Sequence, residues 1–344
     1  MNFSELILDW YDKNKRVLPW RSSKNPYKIW VSEIILQQTR VAQGISYYNR
    51  FINSFPDLKS LAQSNEKEVL LKWQGLGYYS RARNLLHSAK YIYKNLNLKF
   101  PCSYDKIIKL KGVGDYTASA ISSICFNEKK AVLDGNVFRI LSRIFEIDSP
   151  INLSSSRKIF KQKADFLIAE KRYGDYNQAI MDFGSLICKP KNPLCSTCVV
   201  SKLCKSFKND SVTKFPVKTS KNRIKTIYYE YIVFENNNKK MIVKINHGIW
   251  KNLFQFPSYT SEKKQSKNKI IQFFINKYKL RELNISLYND KFIEHKLSHL
   301  KIKSRFWKAE GNINLEGQIF TDIFKDYPMS KLMHNFVEKY IKIH

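Results

Sequence analysis

The sequence lacks any long apolar run. No stretch approaches the ~18 consecutive apolar residues that read as a transmembrane helix, so an integral membrane protein is not expected. The N-terminus has no basic segment followed by an apolar one, which a secretory signal would need, and no extension for organelle import. We therefore expect a protein of the bacterial cytoplasm, where its six cysteines are not expected to form disulfides.

Acidic residues are scarce. The 344 residues include 29 Asp and Glu against 60 Lys and Arg, a formal net charge of +31. A field of this size favours a polyanionic partner, and nucleic acid is the first candidate. A proteome biased towards Lys, Asn and Ile would also give a basic chain, so the charge alone does not decide. The hydrophobic fraction of 43% is enough for packed cores in two or three domains.

The N-terminal part has no convincing strand pattern. Apolar residues recur at helical spacing through residues 31–52, and Asp57 follows a break where it can cap the next helix. Glycines in the loop 74–77 and a second break at 100–101 separate further short helical segments. An all-α domain over residues 1–205 is therefore predicted.

A strongly basic segment follows. Residues 202–225 hold eight Lys or Arg and one acid, Asp210, with little apolar content. Such a run is usually only solvated, although between two domains of a DNA-binding protein it would also lie along the phosphates. We interpret residues 206–225 as an interdomain linker.

The hydrophobic period changes after residue 225. Two stretches rich in Tyr, Ile and Val, 226–235 and 240–246, flank three consecutive asparagines, which predicts a β-hairpin. Residues 226–344 are therefore predicted to be a small α+β domain. Its other regular segments are a strand near 300–309 and helices at 270–278 and 330–343.

Four of the six cysteines are closely spaced, with six, two and five residues between them: Cys188, Cys195, Cys198 and Cys204. Inside a cell, this spacing indicates a metal held by four thiolates, either zinc or a 4Fe–4S cluster. Zinc ribbons usually show two C-x-x-C pairs, and this chain has one, which favours iron–sulfur. Cys102 and Cys125 are expected to be ordinary small core residues.

A glycine-containing turn, residues 110–116, lies between two helical stretches; we call it the hairpin. Gly112 and Gly114 permit a tight turn with positive φ. They also leave backbone N–H groups uncovered at the start of the next helix, where the helix dipole favours a phosphate oxygen. Asp134 follows Gly114 by twenty residues. Such an acid is most often a helix cap, but one helix length after the hairpin it would lie beside bound DNA.

These features together resemble the helix-hairpin-helix DNA glycosylases that carry a 4Fe–4S cluster. The resemblance is strong over residues 5–205 and is weaker beyond them. Several segments resemble the MutY-type adenine DNA glycosylase branch of that family: 18–20, 26–28, 31–33, 36–39, 75–83 and 133–137. It implies a monomeric enzyme with one 4Fe–4S cluster, which flips adenine out of double-stranded DNA opposite 8-oxoguanine or guanine and hydrolyses its N-glycosidic bond.

The resemblance also implies catalytic roles. Glu33 is the implied acid that protonates adenine at N7, and Asp134 is the carboxylate that stabilises the positively charged sugar. Tyr116 and Asn136 would orient these acids or the water. Endonuclease III-like relatives carry a lysine at the Tyr116 position, which forms a Schiff base and breaks the backbone, so a monofunctional glycosylase is expected here. Those relatives typically lack an acid at the Glu33 position, which supports the adenine branch.

Further residues are implied to bind the substrate. Arg16, Trp20 and Gln178 would form the adenine pocket, although Trp20 after Pro19 is also a core candidate. Gln38, Leu76 and Tyr78 would support the duplex beside the partner base. The full set implied to contact DNA is Gln38, Thr39, Leu76, Tyr78, Lys111, Gly112, Gly114, Ser298 and His299.

The C-terminal part resembles the MutT/Nudix-like domain with which this family reads 8-oxoguanine, on fragments 248–250, 256–257 and 295–299. Leu297 stands where the family typically has Phe, while Ser298 and His299 keep the hydrogen-bonding pair. These two residues would otherwise be mere turn residues. No acidic run of the kind that holds Mg²⁺ in pyrophosphohydrolases is present, so binding without hydrolysis is expected.

Two other functions remain open at this point. One is an endonuclease III-like glycosylase for oxidised pyrimidines, with Tyr116 as an exception; the C-terminal domain argues against it. The other is a non-catalytic iron–sulfur protein that binds DNA. Glu33 and Asp134 argue against that function, since binding alone needs neither acid.

Overall fold

The structure is a computed structural model that describes residues 2–219, 224–289, 291–297, 300–311, 313 and 315–341. The chain forms two units. The first contains residues 1–64 and 83–220, and the second contains residues 65–82 and 221–344. A piece of the N-terminal part therefore belongs to the second unit. No helix in the described ranges is long and apolar enough to cross a membrane.

The first unit is helical, which confirms the prediction for the N-terminal part. Its described helices are α1 (Phe3–Asn14), α2 (Pro26–Leu36), α3 (Val41–Ser54), α4 (Leu58–Gln63), most of α6 (Ser80–Asn95), α7 (Tyr104–Ile107), α8 (Asp115–Phe126), α9 (Gly135–Phe145), α10 (Arg157–Leu167), α11 (Tyr173–Leu186) and α12 (Lys205–Lys208). Asp57 caps α4 as predicted, because its carboxylate accepts the amide N–H of Ser60 at 2.7 Å. Large aromatic side chains such as Trp30, Phe160 and Phe183 are fully buried and form much of the interior.

The stretch 31–52 contains a break that its periodicity does not reveal. α2 ends at Leu36 and α3 begins at Val41. Between them Gln38 has a φ of +59°, a left-handed conformation that ends a right-handed helix. The apolar period continues across the break because both helices turn apolar residues towards the interior, and it therefore reads as one helix.

Cys102 is exposed, so the prediction that it lies in a core is wrong. In the connection between α6 and α7 only its neighbour Pro101 is buried, and the apolar character of a cysteine does not by itself place it in a core. Cys125, near the end of α8, is half-buried.

The basic segment follows the surface of the first unit over its described part. It contains α12 and short 3₁₀ turns rather than an extended chain. The Ile151 N–H donates to the Val217 carbonyl at 3.0 Å, and Asn152 exchanges hydrogen bonds with Thr219. These contacts hold residues up to 219 on the helical unit.

The second unit contains two sheets and three helices among its described residues, which confirms the predicted α+β character. Its elements are α5 (Glu66–Trp73), β1 (Lys225–Val233), β2 (Glu235–Asn236), β3 (Lys239–Lys244), β4 (Phe254–Gln255), β5 (Ser258–Ser261), α13 (Lys267–Tyr278), β6 (Ile285–Leu287), β7 (Ile293–Lys296), β8 (Leu300–Ala309), β9 (Ile319–Thr321) and α14 (Lys331–Tyr340). In the first sheet β1 pairs parallel with β8 and antiparallel with β5, and β6 and β7 also pair with β8. In the second sheet β3 pairs with β2, β4 and β9.

The predicted β-hairpin exists only at its tip. Two residue pairs of β2 and β3 flank Asn237 and Asn238, whose φ values of +47° and +63° suit the two-residue turn that joins twisted strands. The long strands on either side enter different sheets. β1 finds its main partner in β8, some seventy positions later in the chain, and a local pattern does not report so distant a pairing.

A buried ion pair joins the two central strands. Glu230 of β1 and Arg305 of β8 are in register, and the guanidinium donates to both carboxylate oxygens at 2.7–3.2 Å. The indole N–H of Trp307 donates a further bond of 2.9 Å to Glu230, which is fully buried. Every carboxylate oxygen thus has a partner in the interior.

Residues 65–82 are tied to the C-terminal helix region of the same unit. The Gln74 side-chain oxygen accepts the Met329 N–H at 3.0 Å, and the amide nitrogen lies 3.3 Å from Nδ1 of His334. Tyr79, which is buried, donates its hydroxyl to the Met329 carbonyl at 2.9 Å.

Candidate active site

Glu33 is held inside the helical unit by α2. Asn25 caps this helix and Pro26 occupies its first position, so the helix begins at a defined residue. The Glu33 side chain is only 6% exposed, among apolar neighbours on the same helix. Burial disfavours the charged form and raises the pKa of Glu33 to about 7. The carboxyl group is therefore partly protonated at neutral pH.

Tyr116, in the first turn of α8, is the hydrogen-bond donor to this acid. Its hydroxyl donates to Oε2 of Glu33 at 2.7 Å and lies 3.2 Å from Sδ of Met181. The bond favours the carboxylate and lowers the pKa of Glu33, but the effect of burial is larger. Burial and the neighbouring Glu33 in turn raise the pKa of Tyr116 well above its ordinary value, so the phenol stays neutral.

Asp134 is both a helix cap and a wall of the site. Its Oδ1 accepts the amide N–H groups of Asn136 and Val137 at 2.9 and 2.8 Å, which caps α9. Its Oδ2 accepts the Asn136 side-chain amide at 2.8 Å. Burial raises the pKa of Asp134 in spite of these three bonds. The charge of Asp134 in turn raises the pKa of Glu33, so the two carboxyl groups act on each other electrostatically.

These groups line one pocket of the helical unit. Glu33, Tyr116, Asp134 and Asn136 share it with the three residues predicted to meet adenine, Arg16, Trp20 and Gln178, and with Thr39. Trp20 is only 5% exposed and packs edge-on against Tyr48 at 5.3 Å, so it is a core residue and a pocket wall at once. The sequence interpretation missed other lining residues: Leu18, Arg21, Ile29, Leu36, Val41, Ile124, Met181 and Ser185.

A buried acid that the sequence interpretation also missed fixes one wall. Asp182 of α11 is fully buried and bonds to both Arg16 and Arg21; Arg21 donates at 2.7 and 3.0 Å. Burial opposes ionisation, but the two guanidinium groups prevail and hold the pKa of Asp182 below its usual range. The signal was present, since Asp182 lies four residues after Gln178 and therefore on the same face of one helix.

Arg139 connects the pocket to the cysteine segment. One terminal nitrogen of its guanidinium donates to Oδ1 of Asn136 at 2.9 Å and to the Gly184 carbonyl at 2.6 Å. Its Nε donates to the Cys188 carbonyl at 2.7 Å. The residue that bonds Asp134 is thereby held in place from the segment that contains Cys188.

Of the two hairpin glycines, Gly112 has the positive φ that was expected and Gly114 does not. Gly112 has a φ of +84°, and an added Cβ would lie 2.7 Å from the Asn84 side chain. Gly114 has an extended φ of −101° and is the N-cap of α8, and apart from its chain neighbours no atom of the described residues lies within 4 Å of where a Cβ would be. Among the described residues, the N-cap Gly114 makes no side-chain hydrogen bond to α8, so the first amide N–H groups of this helix are suited to bind an anion.

Two of the residues predicted to support the partner base have strained backbones. Gln38 is exposed and Tyr78 is 43% exposed, and both have positive φ, +59° and +46°. Such conformations are uncommon outside glycine and mark positions that the surrounding structure determines. Gln38 and Thr39 belong to the first unit, whereas Leu76 and Tyr78 belong to the second.

The four closely spaced cysteines line one pocket. Cys204 is buried and the other three are partly buried, and the remaining walls are largely apolar. Arg143 also lines it and donates to Sγ of Cys188 at 3.3 Å. In the described ranges, no three His, Cys, Asp or Glu side chains are placed to hold a metal ion.

In the second unit, Ser298 and His299 lie outside the described residues. Leu297, immediately before them, donates its N–H to the Leu300 carbonyl at 2.8 Å. His295 lies on β7 with its ring 6.2 Å from that of Trp250.

Comparison with known proteins agrees with this geometry. Residues 31–164 match the family described as HhH-GPD superfamily base excision DNA repair protein. The adenine DNA glycosylase of Buchnera aphidicola subsp. Baizongia pistaciae is 39% identical over 303 residues, which are 87% of this chain and 84% of that protein. The chain belongs to the adenine DNA glycosylases. The resemblance drawn from the motifs is confirmed.

Solved structures of other glycosylases share the helical fold. A thermostable thymine-DNA glycosylase matches 60% of this chain and 95% of its own, with 29% identity and a TM-score of 0.56. Endonuclease III, trapped as a covalent intermediate with DNA, covers 60% of this chain and 94% of its own, with 19% identity and a TM-score of 0.52, a likeness of fold alone.

Proposed function

We propose that this adenine DNA glycosylase acts in base excision repair, as a monomer, on adenine opposite 8-oxoguanine or guanine in double-stranded DNA, and that it hydrolyses the N-glycosidic bond without cutting the backbone. The observation that carries the proposal is the buried Glu33 carboxyl, with a pKa raised to about 7, hydrogen-bonded to Tyr116 beside the buried Asp134. Two acids in one pocket, one of them able to hold a proton, provide what the cleavage of an N-glycoside requires.

Glu33 acts as the general acid. Adenine leaves poorly as an anion, and protonation at N7 makes it a neutral leaving group. Help of this kind accelerates a reaction by about 10²–10⁴-fold. A pKa near 7 suits the role because the acid is then protonated in a large fraction of molecules and still releases its proton readily.

Asp134 stabilises the sugar. Departure of the base leaves a positively charged, oxocarbenium-like centre at C1′, which an ionised carboxylate nearby stabilises. The hydrogen bonds from two backbone N–H groups and from the Asn136 side chain hold Asp134 in one orientation. The stabilisation of the sugar therefore needs no rearrangement of Asp134 during the reaction. Asn136 therefore orients Asp134, and Tyr116 orients Glu33.

Cleavage stops at the glycosidic bond because the pocket has no amine nucleophile. None of the described residues that line it is a lysine. By the family resemblance, Tyr116 stands where endonuclease III-like relatives carry the attacking lysine. A phenol does not form the Schiff base through which a lyase breaks the backbone. The product is then an intact strand with an abasic site.

The remaining pocket residues bind the flipped adenine. Arg16, held by Asp182, and Gln178 offer hydrogen-bonding groups, and Trp20 offers an aromatic wall. Gln38, Leu76 and Tyr78 each support the duplex beside the partner base, and Thr39 also contacts DNA. The hairpin residues Lys111, Gly112 and Gly114 bind the phosphates, and Ser298 and His299 of a MutT/Nudix-like second unit read 8-oxoguanine on the opposite strand.

The number and chemistry of the four cysteines match a 4Fe–4S cluster, in which each thiolate binds a different iron atom, so the four sulfur atoms need not converge on one ion. Such a cluster takes four thiolates, and here four thiol groups surround one largely apolar pocket beside the positive charge of Arg143. Cys188, Cys195, Cys198 and Cys204 would hold it. When bound, the cluster would cross-link the 188–204 segment at four points. Arg139 donates hydrogen bonds to both Cys188 of this segment and Asn136, so the segment in turn supports Asn136.

Abasic-site formation tests the function. Duplexes with A opposite 8-oxoguanine, A opposite G, an oxidised pyrimidine, and T opposite G are incubated with the protein and then treated with alkali, which cuts the strand only at abasic sites. Cleavage of the two adenine substrates after alkali alone is expected. Cleavage without alkali, or release of the pyrimidines in preference to adenine, contradicts the proposal.

Two variants and a spectrum extend this test. Glu33→Gln should bind the 8-oxoguanine duplex but release no adenine, and normal turnover by it would remove Glu33 from its role. The purified protein should be yellow-brown, with four iron atoms per chain, and Cys198→Ser should lose that absorbance. A colourless protein containing zinc would contradict the cluster.

A further inference from the structure

Asp115 places a negative charge where DNA phosphate is expected. It is the first residue of α8 and follows Gly114 directly, so its carboxylate leaves the chain beside the uncapped amide N–H groups of the hairpin. A carboxylate in the first turn of a helix is stabilised by the helix dipole. It also competes for that field with a phosphate and repels it at short range.

Two side chains hold this carboxylate. The Tyr104 hydroxyl donates to Oδ1 at 2.7 Å, and a terminal guanidinium nitrogen of Arg157 donates to Oδ2 at 2.7 Å. Burial raises the pKa of Asp115, but these bonds and the charge of Lys161 outweigh it, so the pKa is lowered and the group is ionised at neutral pH. The partners come from α7 and α10, on either side of the hairpin helix in the sequence.

The Arg157–Asp115 pair has the exposure of a surface ion pair. The Arg157 side chain is 46% exposed and that of Asp115 is 27% exposed. Pairs of this kind contribute little to stability because water and salt screen them. Such a pair affects the binding of a highly charged ligand nearby more than it affects stability, since removal of one partner changes the local net charge by a whole unit.

We propose that Arg157 is a positioning residue for DNA binding that acts through Asp115. It neutralises the carboxylate and, with Tyr104, holds both of its oxygen atoms in hydrogen bonds. The hairpin then receives a phosphate without repulsion from its own first helical residue. The inference rests on the proposed phosphate binding by the hairpin.

A charge-pair exchange tests it. Dissociation constants are measured by fluorescence anisotropy on a labelled A:8-oxoguanine duplex and on an undamaged duplex. Arg157→Gln should weaken binding to both by about fivefold at low salt, the effect of one unscreened unit charge at about 4 Å in water, and by less at high salt. Asp115→Asn alone should bind as tightly as the unaltered protein or more tightly.

The double variant is decisive. Arg157→Gln combined with Asp115→Asn should recover the affinity that Arg157→Gln loses, because the uncompensated carboxylate is gone. A double variant as weak as Arg157→Gln would overturn the proposal, since Arg157 would then contact DNA itself. Unchanged binding by Arg157→Gln would overturn it too.

Two measurements separate this effect from a loss of fold or of catalysis. The melting temperature of Arg157→Gln should stay within about 4 °C of the unaltered protein, as expected for a surface pair. Its single-turnover rate at saturating enzyme should be unchanged. A lower rate at saturation would assign Arg157 to the chemical step and contradict the proposal.

A hairpin variant separates the failure of this inference from failure of the proposed DNA contact. Gly114→Asp suits the extended N-cap conformation and caps α8, so it should fold well while it occupies the amide N–H groups. If Gly114→Asp binds DNA normally, the hairpin does not hold the phosphate and the proposed contact fails. If it binds weakly while Arg157→Gln binds normally, only the role of Arg157 fails.

Discussion

The hydrogen bond from Tyr116 to Glu33 gives a prediction about the pH dependence of catalysis. Replacing Tyr116 with Phe removes the hydroxyl and leaves the ring. That hydroxyl donates to the carboxylate at 2.7 Å and therefore stabilises the charged form of Glu33. Without it, the pKa of Glu33 rises, and the variant keeps its catalytic proton to higher pH than the unaltered enzyme.

The magnitude follows from the strength of such a bond. A hydrogen bond to a charged group contributes roughly 1.5–3 kcal/mol, and 1.36 kcal/mol corresponds to one pH unit. The alkaline limb of the rate profile, with its midpoint near the Glu33 pKa of about 7, should therefore move upward by about one to two pH units. The acid limb, set by Asp134, should stay in place because Tyr116 remains neutral throughout this range.

Single-turnover kinetics with enzyme in excess measure this profile. The rate of abasic-site formation on an A:8-oxoguanine duplex is followed between pH 5 and pH 9.5 by alkaline cleavage and gel separation. At pH 7 the variant is expected to be slower, since Glu33 loses the group that orients it. At high pH the two rates should converge or cross.

Tyr104→Phe is the matched control. It also removes a tyrosine hydroxyl that donates to a carboxylate at 2.7 Å in the same unit, but that acceptor, Asp115, is not in the pocket. Its midpoint should equal that of the unaltered enzyme. A Tyr116→Phe profile whose alkaline midpoint is unmoved, or is moved to lower pH, would refute the assignment of Glu33 as the titrating acid.

Three further outcomes are expected. Asp182→Asn leaves Arg21 without its counter-ion, and because the charge of Arg21 lowers the pKa of Glu33, the alkaline midpoint should move down, opposite to the effect of Tyr116→Phe; an upward movement would contradict this. Glu33→Gln should be the more stable protein at high pH, because the stability that protonated Glu33 contributes is full below pH ~4.5 and is lost as the pH rises through about 7. In urea unfolding, the free energy of unfolding of the variant relative to that of the unaltered protein should therefore rise by roughly 3 kcal/mol between pH 4 and pH 8. No change in this difference would argue against a raised pKa of Glu33. Glu230→Gln leaves Arg305 buried without its charge partner and should cost about 3–5 kcal/mol in the free energy of unfolding, whereas a cost under about 1 kcal/mol would show that the pair contributes little.

The residues proposed to be catalytic could be singled out in the sequence because each is part of a local motif. Glu33 and Asp134 lie in short segments whose order along the chain resembles one family, and Tyr116 follows two glycines that mark a turn. The chemistry of an acid depends on its surroundings, and those are assembled from distant segments. The burial that raises the pKa of Glu33 appears only once α2 packs against α3 and α8, and the pairing of Asp182 with Arg16 only once α1 packs against α11.

The same distinction explains the errors in the fold. The strand at 300–309 and the two helices α13 and α14 were predicted within a few residues, since each has its own hydrophobic period. The prediction of a β-hairpin over residues 226–246 was only partly correct, because a strand can pair with strands from anywhere in the chain. The break after Leu36 was missed because a continuing apolar period does not require a continuous backbone.

Deletion experiments on this enzyme need care, because the second unit is assembled from two separate pieces of chain. A protein that ends near residue 219 would still contain residues 65–82, but it would lack Met329, which both Gln74 and Tyr79 use as a hydrogen-bond partner. The loop between those two residues contains Leu76 and Tyr78, which are proposed to support the partner base. Loss of discrimination in a truncated enzyme would therefore report on this loop as well as on the missing domain, and a substitution inside the intact chain is the cleaner way to separate them.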